Sequence, residues 1–267
     1  MTSTRIDPRA VLHPGAKLGV NVSIGPHAIV EEDVVVGDGT VIAGNAYIAN
    51  GARIGKECRI HHGAVIANAP QDLKYANEPT TCELGDRTTV REYATLHRGT
   101  HETGRTVIGD DCFFMAYSHI AHDCRVGSRV IMANCAALAG HVHVEDFVII
   151  GGLTPIHQFV RLGRHAMVGG GTAIGKDVPP FSLIGNRPAV WEGLNSIGLR
   201  RRGFSPEVLD ALDRAYLLVY RSGLNTTQAL ERIRADQQLM SVVEVRIVVD
   251  FIASSKRGIV PAPRMRH

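Results

Sequence analysis

The chain has 267 residues, 45% of them apolar and 5% aromatic, with 28 glycines and a formal net charge of +3. That length can bury one large core, and the composition favours narrow interior sites over a bulky sandwich. No apolar run approaches the ~18–20 residues of a membrane helix, the start lacks a charged-then-apolar leader, and the five cysteines form no CxxC pair. These features exclude a spanning helix, a disulfide framework and a cysteine zinc site, and a soluble cytoplasmic protein is expected.

From Ile6 to Ile174 every sixth residue is an anchor. Of these 29 positions, 26 are aliphatic, Met or Phe, and the exceptions are Asp72, Glu78 and Glu102. The exceptions fall in two stretches, near 67–83 and 97–107, that read as loops. Four residues after each anchor stands a small or β-branched side chain, as in Ala16, Val22, Ala28 and Val34. Gly often follows the anchor directly (Gly19, Gly37, Gly55, Gly127), where it would permit a positive-φ corner. One large and one small inward residue per six describes a hexapeptide parallel β-helix, three hexapeptides making an 18-residue triangular coil. Cys58, Cys82, Cys112 and Cys124 share the small-residue phase and read as buried hydrophobes.

The repeat fades after Ile174, with Pro179 and Pro180 as punctuation. Residues 1–190 are therefore expected to form the β-helix and 191–267 a small helical domain. In the latter, Ser205-Pro206-Glu207 caps a helix ending near Gly223, and two more helical patterns follow near 227–238 and 241–257. From Leu199 onward 12 Lys and Arg stand against 7 Asp and Glu. A basic end on a near-neutral body suits a phosphate-bearing or acidic partner, and no nucleic-acid partner is expected.

The period also decides how the histidines are read. On a helix His119 and His122 would share a face; on flat strands they do not. Residues 18 apart stack in a column, so His122, Gly140 and Gln158 should climb one edge of the prism, ~5 Å per coil, flanked by His141 and His157. His119 projects elsewhere along its strand. Asp123 could fix the tautomer of His122. A prism packed with Ile and Ala has no internal pocket, so a substrate is expected to lie outside, in a groove against another copy of the chain.

Several segments, in order, carry a resemblance over nearly the whole chain: "QDLKYANEPT" (71–80), "HRGT" (97–100), "HIAHDC" (119–124), "LAGHV" (138–142), "HQF" (157–159) and "GLRRRGFS" (198–205). Together they resemble the UDP-N-acetylglucosamine O-acyltransferases that begin lipid A synthesis. The resemblance implies left-handed coils and a homotrimer with active sites between subunits. It also implies transfer of an (R)-3-hydroxyacyl group from acyl carrier protein to the glucosamine 3-OH of UDP-N-acetylglucosamine, with no metal and no cofactor beyond the carrier thioester. His122 matches the general base, Asp123 its orienting partner and the Gly140 N–H the oxyanion donor.

Gln71, Asp72 and Lys74 match loop residues that contact donor or sugar. His97, His119, His141, His157 and Gln158 match substrate-lining positions, and Asn195 is counted with the substrate contacts. Arg201 and Arg202 match residues near the diphosphate, and Gly170 the position that limits acyl length. Two positions depart from the pattern. Ile197 stands where many relatives have Glu, and Arg187 and Pro188 stand near a nucleotide-side His of some relatives.

Four other readings compete. A 3-amino sugar acceptor could use the same base. The N-acyltransferase two steps later would carry an extra domain before its repeats, which here begin at Ile6. A zinc hydratase of this fold would need three converging imidazoles from neighbouring chains. A non-catalytic scaffold would leave the His122–Asp123–Gly140 arrangement unexplained.

Overall fold

The structure, a computed structural model, describes residues 4–263; Arg264 and Arg266 of the basic end lie outside them. Each anchor closes a short strand, such as Ile29–Val30 or Val35–Val36, with the anchor inside and its predecessor outside. Large and small inward residues alternate: Val30 and Ile48 beside Ala28 and Ala46, all at most 1% exposed.

Successive strands turn onto three faces and build sheets of 11, 8 and 8 strands, parallel except for the last strand of the first. The first runs from Arg5–Ile6 to Val190–Leu194, the second from Val11–Leu12 to Pro155–Ile156, the third from Lys17–Leu18 to Arg161–Leu162. Pairing is 18 residues apart in regular coils, as in Ile120↔Leu138. Ile66 instead pairs with Leu96, and Leu96 with Ile120. Both insertions thus leave the prism as loops, near the expected places, and the coil resumes in register.

The corners differ from expectation. Positive φ falls two residues after the glycine phase, mostly at non-glycine positions such as Asn45 (58°), Asp123 (60°), His141 (61°) and Phe159 (62°). Asn, Asp and His tolerate this region better than other side chains. There the corner N–H bonds to the coil below: His141 N to His122 O at 3.1 Å and Phe159 N to Gly140 O at 3.3 Å. The glycines after the anchors have a steric reason instead. A Cβ on Gly37 would sit 2.6 Å from Gly55 C, and one on Gly127 2.8 Å from Asp146 N.

Strands Ser182–Gly185 and Val190–Leu194 pair antiparallel and extend the first sheet at its end. Helices follow: α1 (Ser196–Arg201), α2 (Pro206–Tyr220), α3 (Thr226–Ala235), α4 (Gln237–Ser241) and α5 (Val243–Ala253). Ser205 caps α2 as its sequence indicates, its side chain accepting from Val208 N. The pattern over 227–238 divides at Asp236, which ends α3 and caps α4 by accepting from Gln238 N and Leu239 N, each at 3.0 Å. The short α1 was not anticipated; Asn195 starts it.

The helices dock on the last coils. Trp191 stacks on Tyr220 at 4.5 Å, Tyr216 donates to Pro180 O, and Arg161 lies 4.3 Å over the Phe251 ring. Among the described residues no helix is long and apolar enough to cross a membrane.

Candidate active site

The edge between the second and third sheets carries two side-chain columns. One holds His122, Gly140 and Gln158; the other holds the positive-φ residues Asp123, His141 and Phe159. His122 Nδ1 lies 2.7 Å from Asp123 Oδ2. The His122 ring covers Gly140 so closely that a Cβ there would stand 2.6 Å from Cε1 and 2.7 Å from Nε2. His141 meets His122 edge-on at 5.2 Å and stacks flat on Phe159 at 4.5 Å.

Asp123 has a fully buried carboxylate, whereas the His122 ring is 13% exposed. The carboxylate accepts from Thr100 N at 3.1 Å, Thr100 Oγ1 at 2.8 Å and Thr103 Oγ1. Burial pushes its pKa up, but the donors on Thr103, His122 and Thr100 outweigh that and hold it below its ordinary value. With Nδ1 turned to Asp123, the Nε2 lone pair of His122 is free. The Gly140 N–H donates to no protein acceptor among the described residues. An imidazole with a free Nε2 and an unpaired backbone N–H therefore stand side by side, an arrangement able to serve as base and oxyanion donor.

His122 opens into a cleft of about 580 Å³ that is also lined by Gln71, Asp72 and Lys74 from the first loop, His101 and Glu102 from the second, and His141 and Gln158. The structure thus brings together His122, Asp123, Gly140, His141, Gln158 and the three loop residues. Other expected residues lie elsewhere. His97 is buried, its ring 4.9 Å from that of His119, whose Nδ1 is 2.7 Å from Thr95 Oγ1. Burial, with His119 and His122 nearby, pushes His97 down to about 4.

The column arithmetic put His157 beside His122, but the chain turns it outward. It is exposed, does not line the cleft, and lies with Nδ1 3.3 Å from the Arg257 guanidinium. Asn195 caps α1 and donates to His165 O at 2.9 Å. Arg201 joins Asn195 and Ile197 in a second cleft of about 480 Å³, against Ile149, Met167 and Leu183 of the first sheet. Arg202 lies 5.0 Å over Phe147. Gly170 stands on the edge between first and second sheets, where Arg187 Nε donates to Gly171 O.

Sequence reasoning overlooked Thr103 and Phe159 as site residues and did not single out Thr100 within "HRGT". The fold of the second loop over Asp123 reveals the two threonines, and Phe159 lies 18 residues after His141, where the repeat stacks it on that ring. His122, Asp123 and His141 also offer ligand atoms within 4.8 Å of one another, a spacing compatible with a metal ion.

Coils of this kind, with an imidazole–carboxylate pair above a bare glycine, define an acyltransferase of the hexapeptide class. A family described as bacterial transferase hexapeptide matches residues 33–68 and 105–140, and one described as UDP N-acetylglucosamine O-acyltransferase, domain 2, matches 177–260. An acyl-[acyl-carrier-protein]–UDP-N-acetylglucosamine O-acyltransferase of Burkholderia mallei is 50% identical over 96% of this chain and 99% of its own. Among solved structures, the UDP-N-acetylglucosamine acyltransferase of Francisella novicida superposes with a TM-score of 0.93 at 36% identity, over 97% of this chain and 95% of that one. That of Bacteroides fragilis does so with a TM-score of 0.93 at 42% identity, over 95% and 99%. The chain belongs to the acyl-[acyl-carrier-protein]–UDP-N-acetylglucosamine O-acyltransferase family, and its fold is a left-handed parallel β-helix followed by a helical domain.

Proposed function

We propose that this protein transfers an (R)-3-hydroxyacyl group from acyl carrier protein to the glucosamine 3-OH of UDP-N-acetylglucosamine, the first step of lipid A synthesis, with His122 as general base. The observation that carries this reading is the His122–Asp123 pair, 2.7 Å apart, over the bare Gly140 in an open cleft. His122 Nε2 takes the hydroxyl proton as the sugar oxygen attacks the thioester carbonyl. Asp123 stabilises the imidazolium that forms, and the Gly140 N–H receives the charge on the tetrahedral oxygen. Collapse breaks the carbon–sulfur bond, and the imidazolium returns its proton to the departing carrier thiolate. Protons and electrons balance without a cofactor.

Lys74 lines the cleft, and its ammonium suits an anionic donor. Arg201 lies in the second cleft, on the first sheet. In a triangular prism that face is opposite the edge bearing His122, so one chain cannot lay both on one substrate. A homotrimer, in which the His122 edge of one subunit meets the Arg201 cleft of the next, resolves this. The basic helical end suits the acidic carrier protein, and a cytoplasmic location follows from the reaction's soluble substrates.

A metal reading draws support from the His122–Asp123–His141 spacing. Against it, the Asp123 oxygens already accept four hydrogen bonds, which a cation would have to displace. Chelator treatment should leave the acyl transfer rate unchanged, and hydratase activity with bound zinc would reverse the assignment. The principal test is incubation with UDP-N-acetylglucosamine and 3-hydroxyacyl carrier proteins of several lengths, beside His122→Ala. A 3-O-acylated product that falls ~10²-fold or more in the variant is expected. Product only with a 3-amino sugar nucleotide would change the acceptor, and no product with either would overturn the function.

A further inference from the structure

The Asp123 carboxylate is fully buried, yet no lysine or arginine among the described residues pairs with it. Its oxygens meet four donors. Oδ1 accepts from Thr100 N and Thr103 Oγ1; Oδ2 accepts from Thr100 Oγ1 and His122 Nδ1. An ionised carboxylate has about four lone-pair sites, so the set is complete.

We propose that Thr100 and Thr103 are positioning residues: their hydroxyls hold Asp123 as a pure acceptor, which keeps the His122 Nδ1–H toward Asp123 and Nε2 toward the substrate. The inference deepens the reading of His122 as base and rests on it. Strip the two hydroxyls away and the buried carboxylate retains one backbone N–H and the imidazole. Desolvation then favours the protonated acid, which no longer requires a hydrogen on His122 Nδ1, and the tautomer loses its definition.

Among the described residues, none of the other titratable groups around the pair donates a hydrogen bond to Asp123. His141 Nε2 is 3.8 Å from Asp123 Oδ2. Behind the pair, burial pushes the Cys124 thiol up to about 12 and the His119 imidazole down, leaving both neutral. His97 is likewise held neutral. Asp72, Lys74, His101 and Glu102 line the open side of the cleft.

The same loop also steadies the first one. His101 N donates to Glu78 Oε1 at 2.9 Å, and Arg98 Nε to Tyr75 Oη at 2.9 Å. A merely structural role for the threonines would therefore disturb substrate binding through Lys74. A positioning role acts on the turnover step and its pH dependence.

The test compares full-length wild type, Thr103→Val, Thr100→Val/Thr103→Val and Thr100→Ser/Thr103→Ser in steady-state kinetics across pH, with His122→Ala alongside. We expect kcat to fall ~10-fold in the single and ~10²-fold in the double valine variant, in line with the loss of groups that orient a catalytic residue. KM for the sugar nucleotide should stay within ~2-fold, and the acid limb of kcat/KM should move to higher pH, because the pair takes up its proton sooner. The serine variant should restore both. An unmoved acid limb, or serine no better than valine, overturns the inference while leaving His122 in place. Full activity in His122→Ala instead overturns the reading beneath it. Should the double valine variant not fold, Thr103→Ala against Thr103→Ser puts the same question through one hydroxyl.

Discussion

Gly140 does two jobs in one residue. It offers its N–H, and it leaves the space that the His122 ring occupies. Gly140→Ala should keep the fold, since the strands of its coil are untouched, but it must displace the imidazole. A shift of ~1 Å at a catalytic group costs on the order of 10²-fold, so kcat should drop by at least that while thermal unfolding barely moves. His97 makes a different prediction. It is buried with no partner for Nδ1 and held neutral down to about 4 by burial, helped by His119 and His122. Unfolded, it takes up a proton around its ordinary value of ~6.5. The unfolded chain therefore binds more protons between these limits, and stability falls as pH drops through them. The loss from pH 7 to pH 5 should be ~2 kcal/mol per chain. Melting curves at the two pH values should show a smaller drop for His97→Asn than for wild type. His165, also pushed down to about 4 by burial with Arg202 and Arg164 nearby, adds in the same direction. Asp123, with a lowered value, adds only in the more acid range, as pH falls below the ordinary ~4 of a carboxyl.

At the scale of the coil, the hexapeptide period was legible because every anchor faces one core, and burial leaves little freedom at such positions. The corners were misplaced by two residues. A glycine run invites a conformational explanation, whereas these glycines answer to the backbone of the next coil. The two accounts separate experimentally. Gly127→Ala puts a Cβ 2.8 Å from Asp146 N and 3.0 Å from Glu145 C, backbone that cannot step aside, and should destabilise by ~1–3 kcal/mol. Gly175 holds the same phase with nothing within 4 Å of a Cβ, and Gly175→Ala should be neutral or slightly stabilising. Equal melting temperatures for the two would contradict the steric account. The site was legible where it follows the repeat, as at His122, Gly140 and Gln158. It was not legible where an inserted loop folds back: the spacing of Thr100 and Thr103 from Asp123 carries no period. His157 follows the anchor Ile156 directly, the phase that faces away from the core. The six-residue α1 escaped for want of a pattern long enough to show helical periodicity.

The whole molecule poses the question of where one site ends and the next chain begins. The edge between second and third sheets carries His122, and the first sheet, opposite it, backs the cleft of Arg201 and Asn195. If each site draws His122 from one subunit and Arg201 from its neighbour, two inactive chains can complement each other. Co-expression of His122→Ala with Arg201→Ala would then produce mixed rings. In a closed heterologous ring, each interface takes its His122 edge and its Arg201 cleft from two different chains. With equal and random mixing, about one interface in four combines two intact halves, so activity should recover to about a quarter of wild type. Each variant alone should stay near its own low level, as should the two purified separately and mixed without subunit exchange. Recovery needs only that the halves come from different chains, so it reports on the shared site independently of the acyl length or the exact nucleotide contacts. No recovery in verified mixed rings would overturn the shared site and remove Arg201 from the site at the His122 edge.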